Sequence, residues 1–122
     1  MGKKILLIED EKILAEMYKD KFSKAGFKVI VAFDSKEGLA LAKKEEPDLI
    51  ILDILLPKED GIEFLTWLKM EPGISSIPVV VFSNYDDPKT KKKAYQLGVK
   101  EYLIKANYTP GKIVEKISDY LK

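Results

Sequence analysis

The chain contains no cysteine, no histidine and no arginine. Each absence removes a class of chemistry. Without Cys there is no disulfide and no thiolate metal site. Without His there is no imidazole base and no His-ligated zinc. Without Arg, all 21 basic residues are Lys, and the formal net charge is only +1. That balance argues against a dedicated nucleic-acid binder, which uses a strongly basic face and Arg at base edges. Long apolar runs are also lacking. The run Ile5 to Ile8 behind Lys3 and Lys4 is too short for a signal segment or a membrane span, so a cytoplasmic domain is expected. What remains is carboxylates, hydroxyls and Lys on a chain of 122 residues, 46% of them hydrophobic. That suits one domain, 1–122, with one packed core.

Five short apolar runs alternate with five helical patterns. The runs are Ile5-Leu6-Leu7-Ile8, Val29-Ile30-Val31-Ala32-Phe33, Leu49-Ile50-Ile51-Leu52, Val79-Val80-Val81-Phe82 and Glu101-Tyr102-Leu103-Ile104. Continuous Val/Ile/Leu runs are typical of strands covered on both faces, as in a parallel sheet. In the first intervening helix Leu14, Met17, Tyr18 and Phe22 share a face, and Gly26 stands at the left-handed terminal position. Asp34 with Glu37 resembles a capping box, and Asp60 with Glu63 repeats it. Ile62, Leu65 and Leu68 form the inward stripe of the third helix. Asp87-Pro88 and Thr109-Pro110 each supply an N-cap followed by Pro at the first helical position. The fourth helix should end near Gly98, and Ile113, Val114, Ile117 and Leu121 should face inward on the fifth. Strict alternation with short loops implies an α/β fold with a parallel sheet and right-handed crossovers.

The chemistry-bearing residues follow the strands. Glu9 and Asp10 follow the first, Asp53 the third, Ser83 the fourth and Lys105 the fifth. In an open α/β sheet these positions share the carboxyl edge, where ligands bind beside the point of strand-order reversal. Three carboxylates, a hydroxyl and an ammonium should therefore converge. Mg²⁺ suits such a site, held by one or two carboxylates, a backbone carbonyl, waters and a phosphate oxygen. A carboxylate can act as the nucleophile toward a phosphoryl group, giving an acyl phosphate. Lys105 can balance the added charge and the Ser83 hydroxyl can donate to a phosphoryl oxygen. Taken singly, each residue has a plainer reading: an N-cap or loop acid, a surface Lys, a turn Ser. Only the joint pattern favours a Mg²⁺/phosphate site.

The residues that carry this pattern resemble the receiver domain of two-component response regulators over essentially the whole chain. The matching elements are Leu6-Leu7-Ile8-Glu9-Asp10-Glu11, Asp48 to Asp53 with Pro57 and Gly61, Val80-Val81-Phe82-Ser83, and Tyr102-Leu103-Ile104-Lys105. The resemblance implies five parallel strands in the order 2-1-3-4-5 with helices on both faces, a flavodoxin-like doubly wound fold. It implies Asp53 as the phosphorylated aspartate. Glu9, Asp10, Asp53 and the Leu55 carbonyl would be the Mg²⁺ ligands. Ser83 and Lys105 would contact the phosphoryl group. Ser83 and Tyr102 would be the switch pair, driving a change on the face of the fourth helix, fifth strand and fifth helix. The implied partner is a sensor histidine kinase or a histidine phosphotransfer protein, with acetyl phosphate as a small-molecule donor. The chain itself would be no enzyme, although it promotes its own phosphorylation and dephosphorylation. A monomer or weak homodimer, joined through the fourth and fifth helices, is expected.

Four positions depart from the family pattern: Glu9 for the commoner Asp, Ser83 for Thr, Asn84 for a small residue and Ala106 for Pro. Asn84 should narrow access to the acyl phosphate. A cis bond to Ala106 would cost about 2.5–4 kcal/mol, so a trans bond and a shifted Lys105 loop are expected. Lys89, Lys91, Lys92 and Lys93 read as a solvated helix face, or as a contact for an acidic partner. Trp67 reads as packing. Leu55 and Tyr85 flank the acceptor. Two other functions draw on parts of the sequence. A pseudo-receiver, a phosphorylation-independent interaction module, draws on Asn84 and Ala106 alone. A flavin or nucleotide carrier is disfavoured because Glu9-Asp10-Glu11 is acidic and lacks a Gly-rich phosphate loop.

Overall fold

A computed structural model describes residues 2–56 and 61–122. The elements, in chain order, are β1 (Lys4–Ile8), α1 (Lys12–Lys24), β2 (Lys28–Ala32), α2 (Ser35–Glu45), β3 (Leu49–Leu52), α3 (Gly61–Met70), β4 (Val79–Ser83), α4 (Pro88–Gln96), β5 (Glu101–Ile104), a 3₁₀ turn (Lys105–Asn107) and α5 (Pro110–Tyr120). All strand pairings are parallel, in the order β2-β1-β3-β4-β5. The expected α/β sheet is therefore present. The expected roles of Asp60 as a helix cap and of Pro57 lie outside the described residues.

Alternation of side chains along each strand divides the core into two. Ile5, Leu7, Leu49, Ile51, Val80, Phe82 and Leu103 point to the face covered by Tyr18 and Phe22 of α1 and Ile113 and Ile117 of α5. Leu6, Ile8, Ile50, Leu52, Val79, Val81 and Tyr102 point to the opposite face, under Ala42 of α2, Phe64, Leu65 and Leu68 of α3 and Ala94 of α4. This two-sided burial is why the central strands read as unbroken apolar runs rather than alternating ones. Each fully buried Ile, Leu or Phe contributes about 1.5–3 kcal/mol relative to exposure. Ile62, Val114 and Leu121 pack against these cores half-buried rather than fully inside.

The caps follow local chemistry. Asp34 accepts from the Glu37 N–H at 2.7 Å. The Glu37 carboxylate reaches one residue further back than a capping box requires and accepts from the Phe33 N–H. Asp87 and Thr109 cap α4 and α5 through the N–H groups of Thr90 and Lys112. Gly26 and Gly98 end α1 and α4 at φ of 100° and 90°, a region that a Cβ disfavours. No glycine marks the end of α2. Glu46 adopts φ 46° there and returns its N–H to the Ala42 carbonyl.

Gly61 opens α3 against the turn after β3. A Cβ there would lie 2.8 Å from the Ile54 Cα and 3.2 Å from the Asp53 carbonyl oxygen, both main-chain atoms that cannot swing aside. Gly61→Ala is expected to lower the unfolding free energy by about 1–3 kcal/mol, the usual cost of overpacking, in urea denaturation. Gly73→Ala, at a position with nothing within 4 Å of the added carbon, is the control and should change stability by no more than about 0.5 kcal/mol.

Candidate functional site

Strand order reverses between β1 and β3, and their carboxyl ends carry Glu9, Asp10 and Asp53. Neighbouring β4 ends in Ser83, and Lys105 follows β5. The register aligns these ends: Ile8 pairs with Leu52, and Ser83 with Ile104. Glu9 is fixed in turn by its own N–H, which bonds the Ala32 carbonyl of β2, and Asp53 by its N–H to the Ile8 carbonyl. The result is a cleft of about 310 Å³ lined by Glu9, Asp10, Asp53, Leu55, Ser83, Asn84 and Lys105, with Glu11 and Leu14 at its side. Every residue expected at the sheet edge meets there, and Tyr102, expected as a switch residue, lies in the core beneath.

One carboxylate oxygen from each of Glu9, Asp10 and Asp53 lies within 4.8 Å of the others. Glu9 and Asp53 are buried, whereas Asp10 is exposed. The Lys105 ammonium lies between the two buried acids, paired with Glu9 and 2.9 Å from an Asp53 oxygen. The other oxygens are held locally. Glu11 N–H donates to Glu9 Oε2 at 3.1 Å, and Leu55 N–H donates to Asp53 Oδ1 at 3.0 Å. The latter closes a short Asx-type turn that includes Leu55, the residue whose carbonyl the resemblance nominates as a ligand.

Burial raises the Glu9 carboxyl above its ordinary value, a push that the Lys105 bond and charge oppose but do not cancel. Burial pulls the Lys105 ammonium down most strongly of any single cause, yet its bonds to Glu9 and Asp53 and their charges together raise it. The ammonium is thus held as a cation by the acids it serves. Three clustered carboxylate oxygens fit a hard divalent cation such as Mg²⁺, and neither thiolate nor imidazole exists in the chain to favour a soft one.

A chain of bonds leads away from the cleft. The Ser83 hydroxyl, fully buried, accepts from the Tyr85 N–H at 3.2 Å. The Tyr85 carbonyl accepts from the Tyr102 hydroxyl. Tyr102 is 8% exposed. Burial, with Asp53 next, pushes its hydroxyl up to about 12, so it remains a donor. Tyr102 is thus packed inward, and Lys91 of α4 lies 5.8 Å from its ring centroid. Two contacts here are not legible in the sequence because tertiary packing, not a local pattern, brings their partners together. The Tyr95 hydroxyl accepts from the Tyr102 N–H at 3.0 Å, and the Asn84 side chain accepts from the Ala106 N–H at 2.9 Å. The Lys105–Ala106 bond is trans, as expected, since no described peptide bond is cis.

Comparison with known proteins agrees with this geometry. Residues 5–118 match the family model of the response regulator receiver domain. The chain is 32% identical over 122 residues to the alkaline phosphatase synthesis transcriptional regulatory protein PhoP of Bacillus subtilis. That alignment takes in 100% of this chain but only 50% of PhoP, so the chain spans about half the length of that relative. It is 30% identical over 121 residues to the polar-differentiation response regulator DivK of Brucella anthropi, covering 99% of this chain and 98% of DivK. The chemotaxis protein CheY4 of Vibrio cholerae shares the fold with a TM-score of 0.89 at 25% identity, over 98% of this chain and 99% of that one. From the β1–β5 sheet to the acids at its carboxyl edge, the chain belongs to the response regulator receiver domain family.

Proposed function

We propose that the chain is a phosphoryl-accepting signalling switch in which Asp53 is the acceptor. The observation that carries this reading is the meeting of Glu9, Asp10 and Asp53 oxygens within 4.8 Å of one another, with the Lys105 ammonium already among them. Such a cluster is costly to build unless a positive charge or a phosphoryl group makes use of it. The donor is a phosphohistidine on a sensor histidine kinase or phosphotransfer protein, or a small acyl phosphate. An Asp53 oxygen attacks phosphorus, the bond from phosphorus to the donor breaks, and the donor leaves with the electron pair. Water later attacks phosphorus, releasing inorganic phosphate and restoring the carboxylate.

Glu9, Asp10, Asp53 and the Leu55 carbonyl would hold Mg²⁺. Bound there, the cation supplies charge neutralisation and alignment of the phosphoryl oxygens. The chain's own residues do the rest. Leu55 N–H holds Asp53 Oδ1 and so orients the nucleophile. Lys105 lies 2.9 Å from Asp53 Oδ2, near enough to follow negative charge onto a phosphoryl oxygen. The Ser83 hydroxyl would turn from Tyr85 N–H toward the phosphoryl group, releasing the β4–α4 loop that Tyr102 now braces. The face of α4, β5 and α5 carries the change outward to a protein target. Asp53 is altered and restored within the chain itself, so the protein is a switch rather than an enzyme acting on a separate substrate.

Incubation with acetyl phosphate and Mg²⁺ is expected to add one phosphoryl group to the wild type by intact mass spectrometry. Asp53→Asn should take none. Addition to that variant, or none to the wild type from any donor, would contradict the acceptor role.

Lys105 gives a second expectation. Its ammonium is raised above 10.5 in the fold, so the stability it contributes is complete below about pH 10.5 and is lost as pH rises through the raised value. Lys105→Met should be less stable than wild type by about 1–3 kcal/mol at pH 7 without metal, since buried acids lose their counter-charge. The difference should shrink on adding Mg²⁺ and close as pH climbs beyond the raised value. Urea unfolding at a series of pH values measures both.

A further inference from the structure

The 3₁₀ turn Lys105–Asn107 places the ammonium-bearing residue at its very start, yet it has no side-chain cap of its own: Ile104 precedes it and supplies none. The first N–H groups of such a turn have no partner within it. The Ala106 N–H finds one across the cleft, in Asn84 Oδ1 at 2.9 Å. Asn84 directly follows Ser83 at the end of β4, and Ala106 directly follows Lys105 beyond the end of β5. Both Asn84 and Lys105 line the cleft. This one amide therefore ties the hydroxyl-bearing strand end to the ammonium-bearing one, on the solvent side of the cleft. On the core side, Tyr102 ties the same loop to β5 through the Tyr85 carbonyl.

The ammonium needs such a tie. Lys carries its charge on a flexible four-carbon stem, and burial of that stem is only partial help. Lys105 must reach Glu9 and Asp53 together, two acids on different strands. The Phe82 ring, 6.0 Å from the ammonium, packs one side of its path. Where the stem begins is set by the Lys105–Ala106 backbone, and among the described residues Asn84 is the side chain that anchors that backbone from outside the turn.

We propose that Asn84 is a positioning residue for the phosphoryl chemistry at Asp53: through the Ala106 N–H it holds the Lys105 turn so that the ammonium stays aimed at the acceptor. This rests on the reading of Asp53 as acceptor and deepens it. Asn84 acts through Lys105 and is not itself a reacting group. A rival role, in which its bulk simply obstructs the mouth of the cleft, makes the opposite demand, since then volume rather than the oxygen matters.

Three substitutions separate these roles. Asn84→Ala removes both oxygen and volume, Asn84→Leu removes the oxygen but keeps the volume, and Asn84→Asp keeps both. In metal-free protein, NMR order of the Lys105 ammonium should fall in the Ala and Leu variants and remain at the wild-type level in the Asp variant. With acetyl phosphate and saturating Mg²⁺, Ala and Leu should both phosphorylate about fivefold more slowly than wild type, the scale of one lost hydrogen bond. Unchanged Lys105 order in Asn84→Ala would overturn the proposal. So would a Leu variant that behaves as wild type, or an Ala variant that reacts faster. A wild type that accepts no phosphoryl group would remove the acceptor reading, while the NMR comparison would still decide whether Asn84 holds Lys105.

Discussion

An ammonium between two buried carboxylates is the interaction on which the rest of the site depends. Glu9 and Asp53 stand at the ends of adjacent strands and would repel each other there without it. Lys105 arrives from the far side of the sheet, across β4, and its bonds to the two acids raise its affinity for the proton. The site is nevertheless not closed. Asp10 is exposed beside the pair, and the open cleft leaves room for a further positive charge or for a phosphoryl group. A charge cluster in this condition is poised: what enters changes which groups Lys105 must balance.

The apolar architecture makes that poise stable. The central strands β1, β3 and β4 are buried on both faces, so their ends cannot drift, and the carboxyl edge inherits their rigidity. From the edge, bonds run inward through Ser83, Tyr85 and Tyr102 and outward to α4 through Tyr95. Local charge change can reach a distant surface only if some element has two arrangements, and the β4–α4 loop is the element these bonds restrain. Its anchors are few and identifiable, unlike the many contacts that fix the sheet.

Much of this was legible in the chain. The strands could be read because two-sided burial demands unbroken apolar runs, and the site because strand ends in such a sheet share an edge. Asp34, Asp87, Thr109, Gly26 and Gly98 announced helix ends through chemistry local to each. Other features could not be read because tertiary packing decides them. Glu46 ends α2 in a left-handed conformation that its residue type disfavours. Glu9 and Asp10 look alike in sequence, yet one is buried against Lys105 and the other faces solvent. Asn84 and Ala106 stood out singly as unusual neighbours of Ser83 and Lys105. That they bond each other appears only when β4 and β5 lie side by side.

The central claim is that Lys105 and an incoming cation share the Glu9 and Asp53 carboxylates. Calorimetric titration of Mg²⁺ into the wild type and into Lys105→Met, at neutral pH and fixed ionic strength, tests it directly. If the ammonium and the cation compete for Glu9 and Asp53, the variant will bind Mg²⁺ about tenfold more tightly, the effect of about 1.4 kcal/mol of relieved competition. Equal or weaker binding by the variant would contradict the account.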